Sequence, residues 1–144
     1  QQRQGKVSYS MNYRFGPSSY DCSNTVYNAL ITGGFLPVNT NIGNTETLFV
    51  VLERNGWQKV QADSNGNYPA KRGDVFIWGT RGQTLGAAGH TGIFTGDNDN
   101  IIHCNYGYNG ITTNDHDFIW TVNAVRILLF IDLSARQLSH KLIL

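Results

Sequence analysis

The sequence carries little charge of either sign. Charged residues make up 15% of the chain, and 11 Lys and Arg against 10 Asp and Glu leave a formal net charge of +1. Such a balance provides no basic surface, so we expect no nucleic-acid partner. No apolar run approaches the roughly 18 residues of a membrane span, so we expect no membrane partner either. The 40% apolar content excludes a disordered tail or a coiled coil.

Cysteine is also scarce, with Cys22 and Cys104 as the only two in the chain. Two cysteines cannot build a disulfide framework, so the core has to hold the fold. One bridge between them stays open as an alternative if their Cα atoms lie close together. The sequence also lacks an early basic stretch followed by an apolar one, so we expect no signal peptide.

Length and turn-forming composition predict one loop-rich domain of α+β or β type. The chain of 144 residues is long enough for one core, and its 16 glycines argue against a helical bundle. We assign residues 1–133 to this domain and 134–144 to a tail or linker. Apolar periodicity predicts helices at 22–32, after an N-cap at Asp21, and at 44–55. Alternation and turn residues predict strands at 57–60, 74–78, 91–95, 100–104 and 122–130.

The most informative residues are a cysteine at a predicted helix start and two histidines far downstream. Cys22 follows Asp21 and would stand at the N-terminus of the first helix, whose partial positive charge favours a thiolate. His90 begins an apolar run and is the best candidate to accept the thiol proton. A third polar group should orient that imidazole, and we favour His103, with Asn105 on the same side of the strand as the alternative. This order of residues is typical of a cysteine hydrolase.

A zinc site is a competing interpretation of the same side chains. Cys22, His90, His103 and Cys104 are all residue types that bind zinc. His103 and Cys104 are adjacent, however, and adjacent strand residues point to opposite faces. We therefore predict no metal site from these four residues.

Other acidic and histidine clusters give weaker signals. Residues 63–68 resemble the start of a calcium loop, but the glycine comes too early and the closing glutamate is missing. His116 lies in a polar stretch that we interpret as a surface turn. A metal-dependent hydrolase that uses the histidines with Asp115 or Asp117 stays open as a further hypothesis.

Four segments in a fixed order carry a resemblance to a known enzyme group. They are Asp21-Cys22-Ser23, Arg72-Gly73-Asp74-Val75-Phe76-Ile77-Trp78, Gly89-His90-Thr91-Gly92-Ile93-Phe94 and Ile101-Ile102-His103. With them the chain resembles the NlpC-type and CHAP-type papain-like peptidoglycan hydrolases, and most closely the amidase family of phage endolysins, over roughly residues 5–120. The resemblance implies an α+β papain-like fold, in which an N-terminal helix bearing the cysteine packs on a central antiparallel β-sheet.

The same resemblance implies roles for individual residues. Cys22 corresponds to the nucleophile, His90 to the base and His103 to the third polar residue. Tyr9 stands where such enzymes place a tyrosine near the nucleophile and the oxyanion. Asn24 departs from the NlpC-type pattern, which usually has a glycine at this position.

Substrate-binding residues are implied more weakly. Asp21 corresponds to an acid that can contact a substrate amine, although a simple helix cap is its alternative role. Ser23, on the other side of Cys22, is a further candidate for substrate binding. Trp57, Tyr106 and Tyr108 could line a groove for sugar or peptide, and core packing is their alternative role.

The implied function is that of the catalytic domain of a phage endolysin whose partner is bacterial peptidoglycan. We expect an N-acetylmuramoyl-L-alanine amidase; the alternatives are an endopeptidase, cutting for example at γ-D-glutamyl-L-lysine, and a non-catalytic wall-binding module. We expect no cofactor, although calcium stays open because some CHAP-type relatives bind it. A C-terminal wall-binding domain would lie outside this sequence, and the protein would be made in the host cytoplasm and act on the wall after release.

Overall fold

A six-stranded antiparallel sheet and three helices form the fold in the computed structural model, which describes residues 1–96, 98–123 and 130–134. The helices are α1 Cys22–Thr32, α2 Thr45–Arg54 and α3 His116–Asn123. The strands are β1 Ser8–Tyr9, β2 Ser19–Tyr20, β3 Gln58–Lys59, β4 Val75–Trp78, β5 His90–Phe94, β6 Asn100–Asn105, β7 Gly110–Asp115 and β8 Phe130–Ser134.

The strand order in the large sheet is β3-β8-β4-β5-β6-β7, and every neighbouring pair is antiparallel. Strands β1 and β2 form a separate parallel pair. The helix that begins with Cys22 packs against β5 and β6. The α+β fold, with a cysteine-bearing helix on an antiparallel sheet, is thus confirmed.

Helix α1 starts at Cys22 because Asp21 caps it. The backbone of Asp21 is extended, and its Oδ1 accepts a hydrogen bond of 2.7 Å from the amide of Asn24. Val26 and Leu30 then recur at helical spacing on the buried face. The predicted helix at 22–32 is confirmed to the residue.

Helix α2 starts through a reciprocal cap. The amide of Thr47 donates to Asn44 Oδ1 at 3.0 Å, and the amide of Asn44 donates to Thr47 Oγ1 at 2.8 Å. Leu48 and Leu52, one helical turn apart, are fully buried. The second predicted helix is confirmed, and it ends before Asn55 and Gly56 as expected.

Both faces of the central strands are buried, which explains the unbroken apolar run of β4. Val75 and Ile77 pack with α1 and α2 in one cluster, whereas Phe76 and Trp78 pack in a second cluster with Ile119 of α3. Because successive strand residues point to opposite faces, β4 contributes to two cores at once. The strand near 74–78 and the hairpin of β5 and β6 are confirmed, and β3 lies inside the strand predicted at 57–60.

The second half of the chain corrects two predictions and contains one strand that was not predicted. His116 is not in a surface turn: it begins α3, is 6% exposed, and its Nε2 accepts a hydrogen bond of 3.2 Å from Trp78 Nε1. The strand predicted at 122–130 is wrong at both ends, because α3 continues to Asn123 and β8 runs from Phe130 to Ser134. Among the described residues, the prediction and β8 share only Phe130; residues 124–129 lie outside the described residues. Strand β7 was not predicted.

Ser134, which we assigned to the tail, is the last residue of β8, and residues 135–144 lie outside the described residues. Within the part of the chain that the structure describes, no helix is both long and apolar enough to cross a membrane.

Gly92 allows β5 to lie close to its neighbours. A Cβ atom there would lie 2.7 Å from Phe76 Cε1, 2.8 Å from His103 Cβ and 2.8 Å from the carbonyl oxygen of Ile102. We expect Gly92→Ala to lower the free energy of unfolding by about 1–3 kcal/mol, because two rings and a backbone group would have to move. Urea unfolding followed by circular dichroism measures this change.

Gly107 provides the matched control. A Cβ atom at Gly107 would meet only Asn105 Oδ1, at 3.8 Å, so Gly107→Ala should change the stability by less than about 0.5 kcal/mol. Equal effects of the two substitutions would contradict the close approach at β5.

Candidate active site

Cys22 lies where three elements meet. It is the first residue of α1 and is 6% exposed. Its Sγ lies 3.9 Å from Oγ1 of Thr45, the first residue of α2, and receives backbone hydrogen bonds from Ser23 and from Thr91 of β5. The thiol is therefore directed at the start of the strand on which His90 stands.

The surroundings of Cys22 favour the protonated thiol. Burial, with a further contribution from the Asp21 carboxylate, raises the pKa of Cys22 to about 11. The hydroxyl of Thr45 and the backbone groups of Ser23 and Thr91 act in the opposite direction and do not offset the burial. The sequence suggested that the helix N-terminus would stabilise a thiolate; in the structure that effect is outweighed.

The structure brings His90 and His103 together. His90 is the first residue of β5, His103 lies on the neighbouring strand β6, and His90 Nε2 is 2.7 Å from His103 Nδ1. Burial lowers the pKa of both histidines, and the neighbouring imidazole of His103 lowers that of His90 further. Both rings are therefore neutral at pH 7, and the rings of Phe76 and Trp78 pack against His90.

His103 continues the chain of polar contacts on its far side. Its Nε2 lies 3.0 Å from Asn114 Oδ1 of β7 and 3.3 Å from Asn105 Nδ2. Asn105, the alternative third residue, thus contacts His103 and not His90. Nothing in the local sequence distinguishes Asn114, which reaches the site only through the pairing of β6 with β7.

Cys22 and His90 do not share a hydrogen bond in this structure; the thiol faces Thr45 and the amide of Thr91, the residue after His90. Nε2 of His90 is occupied by His103, and no hydrogen bond from another described residue is seen at His90 Nδ1.

Asp21 and Ser23 are engaged within the protein. Asp21 Oδ1 accepts from the Asn24 amide and, at 3.1 Å, from Ser23 Oγ. Asp21 Oδ2 forms an ion pair of 2.7 Å with Nε of Arg14, and Arg14 also donates to Ser23 Oγ at 3.0 Å. Asp21 therefore acts as a helix cap, the alternative that its sequence position left open, and Arg14 is a residue that the sequence analysis missed.

The tyrosines lie nearer the surface than the cysteine. Burial, together with the charges of the neighbouring Cys22 and Asp21, raises the pKa of Tyr9 to about 12. The ring of Tyr9 packs edge-on against Tyr106 with 6.1 Å between ring centroids. Tyr106 is 84% exposed and Tyr108 53% exposed, so both offer surface to a ligand.

Trp57 lies apart from this group. It is 5% exposed and packs in the cluster formed with α1 and α2. Its alternative role, core packing, is the one that the structure favours, so we no longer place it in a substrate groove.

Both cysteines are free, so the structure does not contain the bridge that the sequence left open. Sγ of Cys104 donates to the carbonyl oxygen of Tyr20 at 3.4 Å, and burial raises its pKa to about 12. Among the described residues, no three His, Cys, Asp or Glu side chains come together in a group that could hold a metal ion. In the loop at 63–68, Asp63 Oδ1 accepts from the amides of Asn65 and Asn67, as in an ordinary turn.

Comparison with known proteins identifies the class. Residues 1–139 match the family model described as bacteriophage peptidoglycan hydrolase. The chain belongs to this family. It is similar to a protein called Lysin from Pneumococcus phage Dp-1, with 51% identity over 120 residues, which cover 83% of this chain and 39% of that protein. The match therefore spans about two fifths of this curated relative.

A solved structure also resembles the fold. NlpC1 from Trichomonas vaginalis matches 91% of this chain and 39% of its own, with a TM-score of 0.48 and 18% sequence identity.

The raised pKa of Cys22 leads to a prediction for thiol reactivity. Because burial keeps the thiol protonated at neutral pH, alkylation by iodoacetamide should speed up continuously as the pH is raised from about 7 to about 10. Mass spectrometry of the Cys22 peptide gives the rate. A rate that reaches a plateau at or below neutral pH would contradict the prediction, because it would show a preformed thiolate–imidazolium pair.

Proposed function

We propose that this chain is the catalytic domain of a cysteine-dependent peptidoglycan hydrolase that cleaves the amide between N-acetylmuramic acid and L-alanine. One observation carries the catalytic assignment. The buried thiol of Cys22 at the start of α1 lies against the start of β5, where His90 is hydrogen-bonded to His103 at 2.7 Å. Membership of the bacteriophage peptidoglycan hydrolase family supports the choice of substrate.

In the proposed first step, the thiol of Cys22 rotates from Thr45 towards His90. As sulfur attacks the amide carbonyl carbon, His90 Nδ1 takes the thiol proton, because its Nε2 is already occupied by His103. The directions of the pKa shifts favour a neutral thiol and a neutral imidazole at rest, so the proton moves during the attack and not before it.

The tetrahedral intermediate carries a negative oxygen that needs hydrogen-bond donors. The backbone amides at Ser23 and Thr91 already lie against the sulfur, and the hydroxyl of Tyr9 lies near enough to Cys22 for the charge of Cys22 to raise the pKa of Tyr9. Donors of this kind stabilise an oxyanion when they are held in place before the reaction. Tyr9 suits this role because its raised pKa keeps the hydroxyl protonated.

The remaining steps restore the enzyme. His90 returns the proton to the leaving amino group of L-alanine as the carbon–nitrogen bond breaks, which leaves a thioester between Cys22 and the lactyl carbonyl of the sugar. A water molecule then loses a proton to His90 and attacks the thioester, and His90 returns this proton to the sulfur of Cys22 as the carbon–sulfur bond breaks, which releases the sugar's lactyl carboxylic acid. These steps require no cofactor, so we expect activity without added metal.

Tyr106 and Tyr108 are proposed to contact the wall polymer outside the reacting bond. Both are exposed, and Tyr106 packs on Tyr9, which lies beside the cysteine. Aromatic faces at such a site suit sugar rings and apolar parts of a peptide. A separate wall-binding domain, if the full protein has one, would add target choice, and the site of action would be the cell wall.

Substitution of the two cysteines tests the catalytic assignment. We expect Cys22→Ala to reduce lysis of purified cell walls by at least about 10³-fold, since no other nucleophile is proposed, and EDTA to have no effect on the native chain. Cys104→Ala is the matched control: this cysteine is also buried, but its hydrogen bonds are with the carbonyl oxygen of Tyr20 and the side chain of Thr25, away from the histidines, so lysis should persist. Lysis by Cys22→Ala at the native rate would refute the proposal and leave a metal-dependent hydrolase as the explanation if EDTA then stops it.

The products of digestion identify the bond. An amidase releases intact stem peptides with a new free amino group on L-alanine, whereas an endopeptidase exposes a new amino group further along the stem. Mass spectrometry of digested walls separates these outcomes, and we expect the first. The same digest by Cys22→Ala should contain neither product, and wall binding without either product from the native chain would indicate a non-catalytic module.

A further inference from the structure

A hydrogen-bond network beyond His103 determines where the proton of each histidine lies. It starts at a backbone amide, which can only donate: the amide of Tyr108 lies 2.8 Å from Asn105 Oδ1. The atom of Asn105 in this contact must be the oxygen, and the other terminal atom, Nδ2, must be the donor. The orientation of the Asn105 side chain is therefore determined by the main chain.

The second link passes through a hydroxyl. Asn105 Nδ2 donates to Thr112 Oγ1 at 2.9 Å, so this hydroxyl has its own proton left to donate. It lies 2.6 Å from Asn114, and a hydroxyl proton directed there requires the amide oxygen, Oδ1, at that position. Thr112 thus orients Asn114 with its oxygen towards His103.

The third link reaches the imidazoles. Asn114 Oδ1 lies 3.0 Å from His103 Nε2 and can only accept, so Nε2 carries the proton of neutral His103. His103 Nδ1 is then bare and accepts from His90 Nε2 at 2.7 Å. Neutral His90, with its proton on Nε2, has a bare Nδ1, which is the nitrogen that a general base needs.

We propose that Asn114 is a positioning residue that fixes the tautomers of His103 and His90, so that His90 Nδ1 stays unprotonated and able to accept the proton of Cys22. Asn114 touches neither the cysteine nor His90, and it acts through His103. The proposal concerns the reaction proposed above, but its first readout, the tautomeric state, can be measured without any reaction.

A competing donor makes the role of Asn114 decisive. Asn105 Nδ2 lies 3.3 Å from the same nitrogen of His103 and would favour the opposite tautomer, with Nε2 bare. Without the oxygen of Asn114, this amide is the only described partner left at Nε2. The proton of His103 then moves to its own Nδ1 and donates to His90 Nε2. The proton of His90 therefore moves to His90 Nδ1, which can no longer act as a base.

Three variants test the proposal in the full chain. Asn114→Ala removes the acceptor, whereas Asn114→Asp keeps an oxygen at the same place. Thr113→Val is the matched control, because Thr113 is exposed and lies between Thr112 and Asn114 on the opposite face of β7. Circular dichroism of each variant, compared with the native chain, verifies the fold.

Nitrogen-15 NMR of the histidine side chains gives the tautomers directly. We expect the native chain, Asn114→Asp and Thr113→Val to carry the protons of His90 and His103 on Nε2, and Asn114→Ala to shift them towards Nδ1. Native tautomers in a folded Asn114→Ala would overturn the proposal. If Asn114→Ala does not fold, a native chain with the proton of His90 on Nδ1 overturns it equally.

Wall-lysis kinetics provide the second readout. The tautomer error in Asn114→Ala should reduce kcat by about tenfold to 10⁴-fold with little change in KM, in keeping with the cost of a wrong imidazole tautomer in serine proteases. Asn114→Asp should keep most of the activity, but its acid limb should move to higher pH, because a carboxylate beside His103 favours the protonated imidazole. An unchanged kcat in Asn114→Ala would overturn the positioning role. Lysis by Cys22→Ala, by contrast, would refute the proposed function while leaving the NMR result on tautomers intact.

Discussion

The carboxylate of Asp21 is the group on which the position of Cys22 depends. One oxygen caps α1 through the amide of Asn24 at 2.7 Å, and the other pairs with Arg14 Nε at 2.7 Å. Because the cap determines where the helix begins, it makes Cys22 the first helical residue and places its sulfur beside β5. The same carboxylate contributes to the raised pKa of the thiol, so the group that positions Cys22 also helps to keep its thiol protonated.

Strand alternation explains why the thiol and the imidazole come from different sides of the sheet. Ile93 packs with the cluster under α1, whereas Phe94 packs with the cluster under α3. His90 has the same parity as Phe94 and lies among the rings of the α3 side, while Cys22 belongs to α1. The two can meet only at the end of β5, where the sheet no longer separates them.

The first two helices and the candidate cysteine and histidines could be predicted from local sequence, whereas strand β7 and helix α3 could not. The limits of α1 and α2 were predictable because Asp21 and Asn44 form their caps within three residues, and the order of cysteine and histidines was visible directly. Strand β7 and helix α3 were missed because the local residue types on either side of His116 favoured other structures. The polar residues before His116 suggested a turn, while the β-branched and aromatic residues after it suggested a strand; contacts with distant Trp78 decide otherwise.

The β7 part of the polar network could not be found from sequence, because its members meet His103 only after β6 pairs with β7. Thr112 and Asn114 are ordinary strand residues until the register pairs Thr112 with His103 and Asn114 comes within 3.0 Å of its ring. Asn105 lies on the same strand as His103, which is why the sequence could offer it as an alternative third residue. Arg14 likewise has no local signal, since its partner Asp21 comes from the next element. Tertiary pairing, and not propensity, assembles the part of the site that surrounds the cysteine and the histidines.

The burial of Cys22 has a consequence for the resistance of its thiol to oxidation. Peroxide and other oxidants attack thiolates that solvent can reach, and they convert them through sulfenic acid to forms that no longer act as nucleophiles. A thiol that is 6% exposed and protonated at neutral pH presents neither property. The thiol is therefore protected against oxidation by the same surroundings that keep it protonated.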